Sequence, residues 1–379
     1  MDRSELKDWL HVHMAAGVGP KRFQILLEVL GSPRDIIRAS LTHLKGVPGI
    51  GPAVAAQIYE GLRTVDPETE LADADRQNIR IVTPRDPDYP KLLATCPDPP
   101  MVLYVKGELK EQDQLSLAVV GTRSPSYYGS EQANRFGLLL AQAGITVVSG
   151  LARGIDGRAH RGALLAKGRT IAVLGCGLNH LYPPEHRELA DQIVEQGGAL
   201  LSELALNFAP QAANFPARNR IVAGMTLGTL VVEAPAKSGA LITAELAQEY
   251  NREVFAVPGP IDQPGFLGCH QFIKSGKAKL VTCLEDILDE LGQVGAILKP
   301  KAPSDSKTQV PDDSLSELLK ASLTDTEKAV WDFLGCGPND PDTIGSVCSL
   351  PAAQVCAAVT NLQLKGLVKI LPGNQFTRR

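Results

Sequence analysis

The chain lacks any apolar run that approaches the length of a membrane span. Its first residues, MDRSELKDW, are charged and lack the apolar heart of a signal peptide, and a cytoplasmic location is expected. The seven cysteines, at 96, 176, 269, 283, 336, 348 and 356, contain no CxxC pair. An odd, scattered set argues against a disulfide framework and a zinc site, so buried reduced thiols are expected. There is no GxxxxGK[ST] run, which removes P-loop ATP hydrolysis, and no GxGxxG dinucleotide fingerprint. Ser149 is not in a GxSxG elbow, and His180, His186 and His270 form no HExxH pattern. His160, in RAHRG, has no serine or carboxylate at a fixed spacing and reads as a helix residue satisfied by its neighbours. No cofactor, metal, catalytic residue, small-molecule substrate or membrane partner is therefore expected.

What is present is concentrated in residues 115–164. The apolar runs Leu115–Val120 and Ile145–Val148 are short and β-branched, as in strands buried on both faces of a parallel sheet. About one crossover helix separates them, which gives a βαβ unit. Each strand runs into glycine, Gly121 after the first and Gly150 and Gly154 after the second, and the turns carry Thr122, Arg123 and Arg153. Ligands of open α/β sheets bind where such strands end. Glycine lets backbone N–H groups approach a phosphate, and a neighbouring arginine adds a two-pronged donor. Net charge is −4, yet residues 115–282 hold 15 Lys and Arg against 12 Asp and Glu, a local +3 that leaves −7 elsewhere. A basic face on a mildly acidic protein is compatible with phosphate binding. Further strands are expected near 170–174, 199–202, 229–233, 253–257 and 279–282, with helices between: a doubly wound sheet.

Two later segments carry similar chemistry. In NFPARNRIVAG (214–224), Arg218 and Arg220 flank Asn219 near a helix start, where anions gather. Phe215 offers a face on which a base can stack. The alternatives are a core Phe215 and arginines paired with Glu233 or Glu245. In APAKSGALITAE (234–245), Lys237, Ser238 and Gly239 form a phosphate-type turn ahead of a helix.

The words VGTR and SGLARGID, followed by TIAVLGCGLNHLYP (170–183), LLSEL (200–204), NFPARNRIVAG, LVVEAPAKSGALITAELA (230–247) and VFAVPGPI (254–261), resemble the DprA/Smf family of bacterial DNA-processing proteins. The resemblance implies an extended Rossmann-like core in which VGTR and NFPARNRIVAG line a pocket for single-stranded DNA. It further implies a homodimer formed through the core, and loading of the RecA recombinase onto single-stranded DNA in natural transformation. One departure is Gly268–Cys269–His270, where the family commonly has glycine–threonine–asparagine.

The flanks fit the same picture. Residues 1–62 are expected to be helical, with similar glycine–apolar–glycine–proline turns in AAGVGPKRFQILLEVLG (15–31) and LKGVPGIGPAVAAQIYEGL (44–62). They resemble tandem helix-hairpin-helix, or SAM-like, modules, whose turns either hold DNA phosphates or merely pack. Residues 63–292 are assigned to the DNA-binding core with its proline-rich lead-in, whose Tyr89 and Tyr104 are expected to pack onto the sheet. Residues 293–321 read as a flexible linker. Residues 322–379 read as a winged helix, with Pro372–Gly373–Asn374 at the wing turn. Its recognition helix has one basic residue, Lys365, which favours protein contact over DNA. Two rival functions remain: a nucleotide phosphoribohydrolase-like enzyme using Glu245, and a winged-helix interaction scaffold.

Overall fold

The computed structural model describes residues 1–292, 295, 324–334, 339–348, 350–364, 368–371 and 375–378. The wing turn 372–374, Lys365, Cys336 and the expected linker, apart from residue 295, lie outside the described residues. The chain divides into two compact units, residues 1–300 and 301–379.

The first unit is built on a nine-stranded sheet. Its strands are β1 (Ile79–Val82), β2 (Leu103–Gly107), β3 (Ser116–Val120), β4 (Thr146–Ser149), β5 (Thr170–Val173), β6 (Ala199–Ser202), β7 (Gly228–Val231), β8 (Glu253–Ala256) and β9 (Lys279–Leu280). The spatial order is β1-β2-β6-β5-β4-β3-β7-β8-β9. Pairs from β6 through β9 are parallel, and the β1–β2 and β2–β6 pairs are antiparallel. Both faces of β3 are buried because Leu117 and Val119 point to one apolar cluster and Ala118 and Val120 to another. That two-sided burial is why these strands read as continuous apolar runs. From β3 the chain winds outward through β4 and β5 to β6, then returns to place β7 on the other side of β3. The β3–β7 boundary is thus a topological switch point, where the crevice of an open sheet forms.

The helices that matter for that crevice are α8 (Tyr127–Gln142), α9 (Ile155–Leu165), α11 (Asn214–Gly224), α12 (Gly239–Glu249) and α13 (Leu267–Lys274). Ahead of them come α1 (Arg3–Met14), α2 (Pro20–Leu30), α3 (Pro33–Arg38), α4 (Leu41–Lys45), α5 (Pro52–Thr64), α6 (Pro67–Arg76) and α7 (Lys91–Ala94), with α10 (Arg187–Glu195) between β5 and β6. Helix α14 (Leu284–Glu290) closes the sheet.

The amino-terminal helices have their own core of Trp9, Phe23, Leu26, Ile36, Leu44 and Ile58, which also takes in Met101. A further cluster joins Leu10 to Leu71, Tyr104 and Leu206 at the sheet's edge. Both glycine turns have the expected form: Gly17 and Gly49 are left-handed, and α2 and α5 each begin with proline after Gly19 and Gly51. Tyr89 is buried and donates its hydroxyl to the Pro100 carbonyl at 2.8 Å, and Tyr104 is fully buried, so both tyrosines pack.

The second unit has α15 (Asp325–Phe333), α16 (Pro341–Cys348) and α17 (Ala352–Leu364), followed by the antiparallel pair β10 (Val368–Leu371) and β11 (Gln375–Arg378). Three helices and a two-stranded ribbon around Val330, Ile344, Val355 and Leu362 make a winged helix. Of the six described cysteines, all free, Cys96, Cys176 and Cys269 are buried. The expectation of burial fails at Cys283 and Cys348, which are partly exposed at helix ends, and at Cys356, which is exposed.

Candidate nucleic-acid interface

The loops leaving β3, β4 and β7 enclose, with the starts of α11 and α12, a cleft of about 740 Å³. Its lining includes Gly121, Thr122, Arg123, Gly150, Phe215, Arg218, Asn219, Lys237, Ser238 and Gly239. The sequence motifs are thus brought together from loops as far as 118 residues apart, Gly121 to Gly239.

The loop after β3 is fixed by its backbone. Thr122 donates its N–H to the Glu233 carbonyl at 2.7 Å, and Ile155 donates to the Thr122 carbonyl at 3.2 Å. A Cβ at Gly121 would lie 2.8 Å from the Glu233 carbonyl oxygen and 2.5 Å from the Ile155 side chain, so no other residue fits without a shift. The Glu233 side chain accepts from the Ser126 hydroxyl at 2.7 Å and from the Ser126 N–H at 3.0 Å. Ser126 in turn caps α8 through the Gly129 N–H. The carboxylate at the end of β7 therefore positions the loop that carries Arg123, rather than neutralising an arginine of α11.

Arg123 is exposed and makes no ion pair among the described residues. Its guanidinium lies 5.5 Å from the centre of the Phe215 ring, within cation–π range. Phe215, half-buried, is tilted against Tyr182 with ring centres 5.5 Å apart. The Arg153 guanidinium lies 5.8 Å from the Tyr182 ring. Phe215 and Tyr182 are thus adjacent rings in the cleft lining, with Arg123 beside the first and Arg153, outside the lining, beside the second, so Phe215 is not simply a core residue.

Arg218 lies beneath this wall. It is 5 % exposed, yet its guanidinium reaches the cleft floor. Nη1 donates to the Gly150 carbonyl at 2.8 Å and also to the Val173 carbonyl, tying the ends of β4 and β5 together. Glycine at 150 leaves room for that guanidinium: a Cβ would sit 2.4 Å from Arg218 Nη2 and push it aside. Burial lowers the Arg218 pKa, and the nearby Asp156 carboxylate opposes that effect. Asp156 accepts from the N–H groups of Gly150 at 3.1 Å and Ala152 at 3.3 Å. Burial pushes its pKa up, against the pull of Arg218 and those two N–H groups.

On the opposite wall Ser238 caps α12 through the Ala240 N–H at 3.3 Å, and Asn219 Nδ2 donates to the Gly239 carbonyl at 3.2 Å. Asn219 thus holds α11 to the turn that presents Lys237, which is exposed and makes no ion pair among the described residues. The ionisable chains facing the cleft are Arg123, Arg218 and Lys237 against Asp156, with Tyr182 beside them. The excess is positive.

Three expected site residues fall outside the lining. Gly154 has φ +77° and packs where a Cβ would stand 2.4 Å from the Thr122 carbonyl; it brings the second turn against the first. Arg153 forms an exposed ion pair with Glu185 on the flank. Arg220 faces away, in a buried pair with Glu203 and 3.7 Å from Asp98. Consecutive helical residues are about 100° apart, so Arg218 and Arg220 point to opposite sides of α11. Conversely, Asp156 and Tyr182 line the cleft and were not singled out by sequence; each sits inside a recognisable motif, but only the fold turns it inward.

The other candidates are absorbed by structure. His160 is fully buried, its Nδ1 2.7 Å from the Thr170 hydroxyl, and burial lowers its pKa to about 3. At the departure from the family pattern, Gly268 donates to the Ala234 carbonyl, Cys269 is buried, and His270 stacks on Phe266. Glu245 is exposed and does not line this cleft, where the one carboxylate is Asp156.

Comparison with known proteins places the chain in a family. Residues 80–292 match the model of DNA recombination-mediator protein A, residues 315–374 the DprA winged helix domain, and residues 13–64 the SAM-like helix-hairpin-helix tandem. Protein Smf of Synechocystis sp. is 36 % identical over 100 % of both chains, and protein Smf of Escherichia coli is 42 % identical over 82 % of this chain and 81 % of its own. The crystal structure of DNA processing protein A from Streptococcus pneumoniae superposes with a TM-score of 0.63 at 33 % identity, covering 76 % of this chain and 98 % of that one. A Helicobacter pylori DNA processing protein A, described for its single-stranded DNA binding mode, superposes with a TM-score of 0.50 at 30 % identity over 56 % of this chain and 95 % of that one. A family model covering more than half the chain, and relatives matched along nearly its whole length, establish that this chain belongs to the DprA/Smf family of DNA-processing proteins.

Proposed function

We propose that the cleft at the β3–β7 switch point grips single-stranded DNA and that the protein acts in DNA processing by presenting that strand to a recombinase. The observation that carries this reading is the cleft wall in which the adjacent rings of Phe215 and Tyr182 stand beside Arg123, with the buried Arg218 also reaching the cleft. Aromatic faces take unpaired bases whatever their sequence, and flanking guanidinium groups take the phosphates between them. Paired bases have no free faces to stack, so duplex is disfavoured. The H. pylori relative, studied for single-stranded DNA binding, supports the same polymer here.

The reading extends to a homodimer acting in the cytoplasm, with RecA as the receiver of the strand during natural transformation. Among the described residues no helix is long and apolar enough to cross a membrane. The action needs no chemistry from the protein: Asp156 is occupied by two backbone donors and a buried arginine, and Glu245 faces elsewhere. Those placements weigh against the phosphoribohydrolase alternative.

The test has two parts. Labelled single-stranded and blunt duplex oligonucleotides are titrated over a salt series; tighter single-strand binding is expected, with log K falling as about −0.7 per neutralised phosphate against log salt. Equal affinity for duplex, or no salt dependence, refutes the binding claim. In the second part the protein is added to single-stranded DNA coated with single-strand-binding protein, and RecA filament growth is followed. Acceleration without DNA cleavage is expected; none, from a protein that binds the strand well, refutes the handover.

A further inference from the structure

The loop that joins β6 to α11, residues 203–213, puts Pro210 and Ala212 into the cleft lining. Its residues 207–213 are all exposed, so burial does not hold that stretch in place. What holds it is its base. Leu206 is fully buried in the cluster with Leu10, Leu71 and Tyr104. Its N–H lies outside any strand and donates to Glu70 Oε1 at 2.7 Å. Glu70 stands on α6, is 7 % exposed, and makes no ion pair among the described residues. A carboxylate is costly to bury, and as an acceptor it bonds a backbone N–H about twice as strongly as a neutral group does. Nearer β6, the Glu203 carbonyl oxygen lies 2.8 Å from His13 Nε2 on α1.

The same base carries the neighbouring loop. Asn179 donates its N–H to the Leu206 carbonyl at 3.0 Å, and Gly177 donates to the Phe208 carbonyl at 2.8 Å. Asn179 Nδ2 donates to Asn207 Oδ1 at 2.8 Å. Residues 174–181 lead from β5 to Tyr182, whose ring meets Phe215 in the cleft. Both backbone groups of Leu206 are thus used, the N–H by α6 and the carbonyl by the loop that bears Tyr182. Neither Glu70 nor Asn179 lines the cleft.

We propose that Glu70 is a positioning residue for the strand site. By holding Leu206 it fixes both the β6–α11 loop and the loop of Tyr182, so the seating of α6 sets how tightly the cleft holds a strand. The proposal rests on the reading of that cleft as the single-strand site.

The test uses the full chain carrying Glu70→Ala, titrated with oligothymidine over a salt series, with thermal melting to establish that the variant is folded. Kd should rise by about 5-fold or more, the low end of what losing one stacked base costs. The slope of log K against log salt should keep its wild-type value, because no phosphate contact is removed. Glu70→Gln keeps an acceptor for the Leu206 N–H and should restore most of the affinity. In a Tyr182→Ala background, Glu70→Ala should raise Kd by a smaller factor than it does alone, whereas in an Arg123→Ala background it should keep its full factor. A folded Glu70→Ala protein with wild-type Kd overturns the proposal. So does equal weakening by Glu70→Gln, or an undiminished effect in the Tyr182→Ala background. If Glu70→Ala does not fold, Asn179→Ala, which cuts the exposed tie to Asn207, reads the same linkage between the two loops, and an unchanged Kd there overturns it. A wild type that binds no single strand overturns the reading of the cleft itself, a failure distinguishable from that of the positioning role.

Discussion

Arg123→Ala removes one guanidinium from the cleft and leaves its scaffold in place. The loop is held by backbone bonds, Thr122 to Glu233 at 2.7 Å and Ile155 to Thr122 at 3.2 Å, and by the close packing at Gly121 and Gly154. None of these involves the Arg123 side chain. What the fold loses is its cation–π contact with Phe215, worth about 0.5–1 kcal/mol at an exposed site. What binding loses is a charged hydrogen bond to phosphate, about 1.5–3 kcal/mol. That range corresponds to roughly a 10- to 150-fold rise in Kd. The slope of log K against log salt should become shallower by about 0.7, one phosphate contact. Fluorescence anisotropy with a labelled single strand at several salt concentrations reads both quantities, and thermal melting confirms the fold. Arg123→Lys should keep the slope and recover part of the affinity, because the point charge stays while the two-pronged geometry goes. A folded Arg123→Ala protein with wild-type Kd and slope would remove Arg123 from the site and with it the proposed strand path.

Phe215→Ala should weaken single-strand binding by about 1–3 kcal/mol per stacked base while leaving the salt slope unchanged, in contrast to Arg123→Ala, and the same titrations separate the two effects. Arg220→Ala should act on stability instead: it leaves Glu203 buried without its partner, at a cost of about 3–5 kcal/mol in the urea unfolding free energy. An Arg220→Ala variant that melts like wild type would show the pair to be dispensable. Acid should destabilise the first unit through His13 and His160. Burial lowers the pKa of His13 to about 4 and of His160 to about 3, below the ordinary 6.5, so as pH falls below 6.5 the unfolded chain takes protons that the folded chain refuses. Stability then rises with pH between about 5 and 6.5, by up to ~1.4 kcal/mol per pH unit for each histidine. Urea midpoints across that range check the sign, and His160→Asn should flatten the curve.

The alternation of short β-branched strands with helices determined a doubly wound sheet, since only a sheet covered on both faces needs runs such as Leu115–Val120 and Ile145–Val148. The glycine-and-arginine turns likewise marked the strand ends that open into the cleft, because glycine and arginine are written in the local sequence. Two arginines two residues apart could not be told from each other in the same way. Rotation along α11 sends Arg218 under the cleft and Arg220 into a buried pair with Glu203, a carboxylate brought close only by the return of the chain from β6. Asp156 and Tyr182 enter the cleft for the same kind of reason: which way a side chain faces depends on the packing of its element against the sheet. Glu233, one possible arginine partner from sequence, is instead the anchor of Ser126, because β7 lies beside β3 in space although more than a hundred residues separate them. The sequence determines which elements form and where they stop. The juxtaposition of their ends, and so the sign and shape of the cleft, belongs to the strand order, which no local stretch of chain contains.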